Sequence, residues 1–231
     1  MTRLSIIVPA LNEAQGIVEH LDALQPLRQR GVEVILADGG SADRTAELAS
    51  SRVDLVVAAP RGRAQQMNAG AARASGDVLL FLHADTRLPE SADLLAQRVL
   101  AAGAPVWGRF DVAIAGRHPL LPVVAWLMNH RSRLTGIATG DQALFVRRDV
   151  FAALGGFPAI ALMEDVALSR RLKAAGRPLC LRERVVTSGR RWESRGVLRV
   201  VFLMWRLRLA YFLGRDPVRL AAAYGDGERT R

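Results

Sequence analysis

Four short apolar runs, Leu4–Val8, Val32–Ala37, Val53–Ala58 and Val78–Leu82, set the rhythm of the first half of the chain. None alternates with polar residues, as expected of strands buried on both faces. Between them the apolar positions fall at helical spacing. Asn12 is placed to cap a helix bearing Ile17, Leu21 and Leu24, with Pro26 near its end. A second helix is predicted through Thr45–Ser50, and a third near Ala64–Ala74 after the turn Pro60-Arg61-Gly62-Arg63. Strands alternating with helices imply an α/β fold with a parallel sheet covered on both faces. A ligand then sits outside the carboxyl ends of the strands.

The second half is less regular. Val106–Ile114 alternates, with Val106, Gly108, Phe110, Val112 and Ile114 on one side, the pattern of a half-buried strand. Pro119–Leu134 reads as a helix, Thr139–Arg147 as a strand, Glu164–Ala175 as a helix closed by Gly176, and Pro178–Thr187 as a strand. Val197–Leu213 is apolar and aromatic but carries Arg199, Arg206 and Arg208. Those charges argue against a membrane span. They leave an amphipathic helix that packs on the domain, on a second copy as a homodimer, or on a membrane surface. Tyr224–Arg231 is predicted to fray. The chain divides into a domain over 1–192 and a C-terminal helix and tail over 193–231.

Composition narrows the partners. The 231 residues, half of them hydrophobic, suit one globular domain. Basic residues number 32 against 22 acidic, a net charge of +10, and Lys173 is the only lysine. Arginine's rigid fork of donors suits phosphate and carboxylate. The surplus fits a phosphorylated ligand, an anionic membrane or nucleic acid; the arginine bias alone fits a GC-rich genome equally well. No recognised nucleic-acid motif accompanies the charge. Cys180 stands alone, which excludes an intrachain disulfide and a cysteine-rich zinc site. His20, His83, His118 and His130 have no zinc spacing. The N-terminus reaches Pro9 too soon for a secretion signal, so a cytoplasmic protein is expected.

Polar residues collect where the strands end: Asn12 and Glu13, Asp38, Arg61 and Arg63, His83 and Asp85. In Asp38-Gly39-Gly40-Ser41 the glycines allow close backbone approach, and the aspartate can bond a base or ribose; the same residues also make an ordinary turn. Neither Gly-x-Gly-x-x-Gly nor a Walker sequence occurs. In His83-Ala84-Asp85 the carboxylate can share a divalent cation with substrate phosphates, or simply hold a turn. Asp141, Glu164 and Asp165 can supply a general base, although acidic residues also favour a helix N-terminus. Arg190 and Arg191 can neutralise a diphosphate beside Trp192, or form a solvated basic turn.

Taken together, Val8-Pro9-Ala10-Leu11-Asn12-Glu13, Ala37-Asp38-Gly39-Gly40-Ser41, Asn68-Ala69-Gly70, His83-Ala84-Asp85, Gly155-Gly156-Phe157 and Glu164-Asp165 resemble the glycosyltransferases of family 2 across residues 4–192. The resemblance implies a GT-A fold, a Rossmann-like nucleotide-diphospho-sugar transferase with a mostly parallel central sheet. It also implies a sugar-nucleotide donor, Mg2+ or Mn2+, and inversion at the anomeric carbon. The stretches Ala59–Gly70 and Thr139–Gln142 resemble the subgroup linked to arsenosugar biosynthesis.

Carried over by position, Pro9, Ala10 and Glu13 line the nucleotide pocket with Asn68, and Asp38 bonds the base, taken as uracil. Arg63 lies near the base or diphosphate. Asp85 is the metal ligand and Asp165 the base. Asp141, Glu164, Arg190, Arg191 and Trp192 face the acceptor or diphosphate. Two positions depart from the family. His83 stands where the first acidic residue of Asp-x-Asp is usual and is expected to replace it on the nucleotide-sugar side, at the ribose or metal, and Ser188-Gly189-Arg190-Arg191-Trp192 lacks the glutamine of processive members. The expectation is transfer of a single sugar to a hydroxyl on a small-molecule or lipid acceptor, in the cytoplasm or at the inner face of the membrane. A sugar nucleotidyltransferase and a non-catalytic basic binding module remain the rivals.

Overall fold

The computed structural model describes residues 3–101 and 105–229, with side chains for 3–97 and 105–225. In chain order the first half holds β1 (Leu4–Ala10), α1 (Ile17–Asp22), α2 (Gln25–Gln29), β2 (Glu33–Asp38), α3 (Thr45–Ala49), β3 (Leu55–Ala58), α4 (Arg63–Arg73) and β4 (Val78–Phe81). There follow β5 (Thr86–Arg87), α5 (Ala92–Ala101), β6 (Trp107–Ala115), α6 (Leu121–Thr135), β7 (Phe145–Arg147) and α7 (Arg148–Ala153). The chain closes with α8 (Glu164–Ala175), β8 (Leu179–Ser188), α9 (Arg190–Arg195), α10 (Val197–Phe212) and α11 (Pro217–Arg229).

The eight strands of the described residues join one sheet in the order β3-β2-β1-β4-β7-β6-β8-β5. β1 pairs in parallel with β2 and β4, and β2 with β3. β7 and β5 run against their neighbours, while β6 and β8 are parallel. Side-chain alternation sorts the core. Leu4, Ile6 and Val8 of β1 face a layer with Ile17, Leu21 and Leu24, whereas Ile7 faces Met67, Leu79 and Phe81. Gly70 lets α4 lie close against the sheet, because a Cβ there would come within 2.5 Å of the Ile7 methyl.

Several expectations change. Asn12 does not cap α1, which starts after Gly16 without a side-chain cap. Asn12 instead adopts a φ of 55°, which asparagine tolerates, and its Oδ1 accepts from the Ala42 N–H at 2.8 Å. That bond ties the β1–α1 turn to the β2–α3 turn. The third strand begins at Leu55 rather than Val53. Most of Thr139–Arg147 is not strand: Gly140–Gln142 forms a 3₁₀ turn and only Phe145–Arg147 pairs. β6 is buried on both faces along most of its length, with Arg109 and Asp111 inside. The expected frayed tail is helical to Arg229; Thr230 and Arg231 lie outside the described residues. Leu207 of α10 and Leu220 of α11 pack against Ile137, Met163 and Val166, so the C-terminal helices close over α8.

Candidate active site

At the carboxyl end of the sheet a cleft of about 600 Å³ opens between the β-strand ends and the C-terminal helices. Pro9 and Glu13 reach it from β1 and the turn beyond, Arg63 from the first residue of α4, and His83 and Asp85 from the turn after β4. Asp141 comes from the 3₁₀ turn, Glu164 and Asp165 from the start of α8, and Arg190, Arg191 and Trp192 from α9. Residues spread from 9 to 192 therefore share one wall-to-wall space.

Three predicted residues stand apart from this lining. The Asp38 carboxylate turns onto its own loop, accepting from the N–H of Gly40 at 3.1 Å and of Ser41 at 3.0 Å. Asn68 holds the backbone of Phe157 at both ends of its amide, at 2.8 and 2.9 Å, and so fixes the Gly155–Phe157 turn on α4. Ala10 is buried, and its carbonyl accepts from the Gly39 N–H and from Gln66 Nε2. All three shape the loops around the cleft.

The acidic wall is assembled by backbone strain and packing. Met163 adopts the left-handed region at φ 70°, an uncommon conformation for a non-glycine residue and one that concentrates at functional sites. The next two residues start α8 with their carboxyls in the cleft. Asp165 Oδ2 accepts from the Gly140 N–H at 2.8 Å, and its Oδ1 from the Val166 N–H at 2.7 Å. A helix N-terminus favours a negative charge there. Glu164 is buried deeper. Burial, reinforced by the Asp165 charge, raises its carboxyl to about 7. Glu164 therefore holds its proton to a higher pH than an ordinary glutamate.

That shift has a sign. A carboxyl raised from 4.5 to about 7 by folding opposes the fold once ionised, so stability falls as pH rises through that window. Glu164→Gln is expected to flatten this slope and raise the melting temperature above pH ~7, with no gain near pH ~4. Thermal melts across that range check it; a Gln variant that keeps the wild-type slope would place the proton elsewhere.

Charges around the cleft interlock. Burial would raise Asp141, but the neighbouring His83, with the charges of Arg63 and Arg191, holds it below its ordinary value. His83 Nδ1 lies 3.6 Å from Asp141 Oδ1. The His83 ring rests on Gly140, where a Cβ would come within 2.3 Å of it. Burial and the Asp85 charge raise Glu13, against Arg190 and Arg63. Arg191 stacks on the Tyr224 ring of α11, 4.5 Å from its centroid.

Sequence reasoning missed Arg208 and Tyr224 on the C-terminal helices, which also line the cleft. It missed Arg131 of α6 as well, whose buried Nε and Nη2 have no hydrogen-bond partner among the described residues. Burial and the charge of Arg208 bring Arg131 down to about 10, and Asp165 and Asp141 attract it. Arg208 is likewise lowered by burial against the pull of Asp165 and Asp141. An arginine inside an apolar helix was the available signal for Arg208.

A divalent cation fits this site only as a shared ligand. Among the described residues no group of three or more His, Cys, Asp or Glu side chains is arranged to hold one. Asp85 is exposed at the cleft beside Glu13, and one of its oxygens accepts weakly from Thr86 Oγ1 at 3.3 Å. One protein carboxylate suffices where a diphosphate and water complete the shell.

The model of the family described as glycosyl transferase family 2 matches residues 5–152. A probable glycosyltransferase, YdaM, of Bacillus subtilis (strain 168) is 27% identical over 95% of this chain and 57% of its own length. The chain thus spans little more than half of that relative. Among solved structures, a mannosyltransferase of Pyrobaculum calidifontis in complex with GDP-Man and Mn2+ has a TM-score of 0.64 at 22% identity, covering 99% of this chain and 70% of that one. S. aureus TarS in complex with UDP-GlcNAc has a TM-score of 0.63 at 18% identity, over 80% of this chain and 58% of that one.

Proposed function

Because this chain belongs to glycosyl transferase family 2, we propose that it moves one sugar from a nucleoside diphosphate donor, UDP-linked, to a hydroxyl acceptor with inversion at the anomeric carbon. Its fold is GT-A, shared with the solved structures above. One observation carries the reading: Asp85, Asp165 and Arg190 line the same cleft although they come from three separate segments.

In the proposed reaction the acceptor oxygen forms its bond to the anomeric carbon as the bond to the diphosphate oxygen breaks. Asp165 accepts the acceptor's proton, and the nucleoside diphosphate leaves with its electron pair. Arg63, Arg190 and Arg191 meet the charge that grows on it. Asp85, with Glu13 behind it, is the group that would hold Mg2+ or Mn2+ against the diphosphate, where such an ion neutralises leaving-group charge. Asp141 and His83 orient the acceptor side, and Trp192 gives the sugar a flat wall. The resemblance of Ala59–Gly70 and Thr139–Gln142, from which Arg63 and Asp141 reach the cleft, points the same chemistry toward arsenosugar biosynthesis.

A thermal-shift series with UDP- and GDP-sugars, with and without Mn2+, tests the donor. A ligand at about 100 times its Kd stabilises the native state by about 2.7 kcal/mol, a shift of several degrees. UDP-sugars are expected to raise the melting temperature, more so with metal, and Asp85→Ala to remove the metal-dependent part. No response to any nucleotide sugar, or release of pyrophosphate from a nucleoside triphosphate and a sugar phosphate, would overturn the assignment.

A further inference from the structure

The helix α10 shows apolar side chains on both of its sides. One side packs inward through Val197, Val200 and Leu207. The other presents Leu198, Phe202, Trp205, Leu209, Phe212 and Leu213, each between 57% and 73% exposed. Their spacing of three and four residues places them in one stripe along the helix. Water-facing helices of soluble domains carry polar residues there, and a contiguous aromatic and aliphatic stripe marks a surface that something covers. Arg199 and Arg206 are exposed along one edge of it, and Arg215, Val218 and Arg219 are exposed on the segment that follows.

We propose that this stripe seats in the interface of an anionic lipid bilayer, with the flanking arginines on the lipid phosphates. Charge decides between occupants. A second copy would bring an identical arginine-edged surface and a second net charge of +10 against the first, whereas an anionic membrane complements both. Aromatic rings with basic neighbours are the chemistry of an in-plane interfacial helix. Among the described residues no helix is long and apolar enough to cross a membrane, and an in-plane helix needs none. Val200, Met204, Leu207 and Arg208, on the inward side of α10, line the cleft. Docking therefore sets the cleft about one helix diameter, ~10 Å, from the headgroups. A lipid-borne hydroxyl could enter it there as acceptor; that consequence alone rests on the transferase reading.

Co-sedimentation with vesicles of phosphatidylcholine, alone and mixed with phosphatidylglycerol, tests the docking. The chain is expected to bind the mixed vesicles at least ~10-fold more tightly, and to lose that preference in high salt. F202E/W205E should weaken binding by at least ~10-fold, since each ring forfeits its burial. R199E/R206E should abolish the preference for phosphatidylglycerol. Circular dichroism and thermal melts without ligand establish that both variants stay folded. Undiminished binding by folded F202E/W205E, or no vesicle binding by the native chain, would overturn the proposal. So would a dimer in sedimentation velocity that F202E/W205E dissolves, which would assign the stripe to a second copy.

Discussion

Asp165→Asn is expected to reduce turnover by roughly 10²–10⁴, the range general acid–base catalysis contributes, while UDP-sugar binding survives. The argument is positional. Both Asp165 oxygens are pinned by backbone N–H groups, at 2.8 Å from Gly140 and 2.7 Å from Val166, so the carboxylate cannot swing away from the cleft. Glu164 next to it is raised to about 7, so near neutrality only part of it is ionised and able to accept the acceptor's proton. A single-turnover assay with saturating donor separates the chemical step from binding. The asparagine places an N–H₂ where one oxygen stood, so a thermal melt must accompany the assay. Near-normal turnover in a folded variant would remove Asp165 from the role and turn attention to Asp141. Glu164→Gln is the matched control and should leave most of the turnover in place.

The parts of this site legible in the sequence are those that depend on local chemistry. β1, β2 and β4 are buried on both faces, so their apolar runs needed no partner to be recognised, and the polar residues just past them lie at the sheet's carboxyl end. Glu13, His83 and Asp85 follow from that rule and Arg63 from the turn after β3, whereas Pro9 came only from the family resemblance. Asp38 satisfies the same rule, and Asn68 of α4 belongs to the family resemblance, and yet their polar atoms hold loops, because nothing in a sequence tells which way a short side chain turns. In the second half the helices Glu164–Ala175 and Val197–Phe212 follow the expected bounds, and what stayed hidden there has a different reason. Alternation in β6 reads as one wet face when the polar positions are in fact paired inside the protein. The cleft wall formed by Arg208 and Tyr224 depends on how α10 and α11 fold back, which no nearby residue announces.

Those interior charges carry the largest expected stability effect. Arg109 of β6 is fully buried and its guanidinium is committed in three directions. It donates to Ser132 Oγ at 3.1 Å, to the Asn129 carbonyl at 3.0 Å, and to the Asp111 carboxylate. Asp111 also accepts from Arg133. Asp111→Ala leaves Arg109 charged and unpaired in the interior, and removing one partner of a buried pair typically costs about 3–5 kcal/mol. Urea unfolding should register that loss as a lower midpoint. Arg109→Met with Asp111→Leu should cost far less, since apolar replacement of both partners removes the desolvation penalty along with the attraction. If the single substitution costs under ~1 kcal/mol, the pair behaves as a solvated one. The effect should also reach the cleft. Asn129 clasps the Val112 backbone and accepts from Gln142 Nε2 at 3.3 Å, and Gln142 ends the turn whose Gly140 N–H pins Asp165. A loosened α6 in Asp111→Ala should therefore lower turnover below the unfolding temperature, whereas the apolar pair, which keeps α6 packed on β6, should retain it.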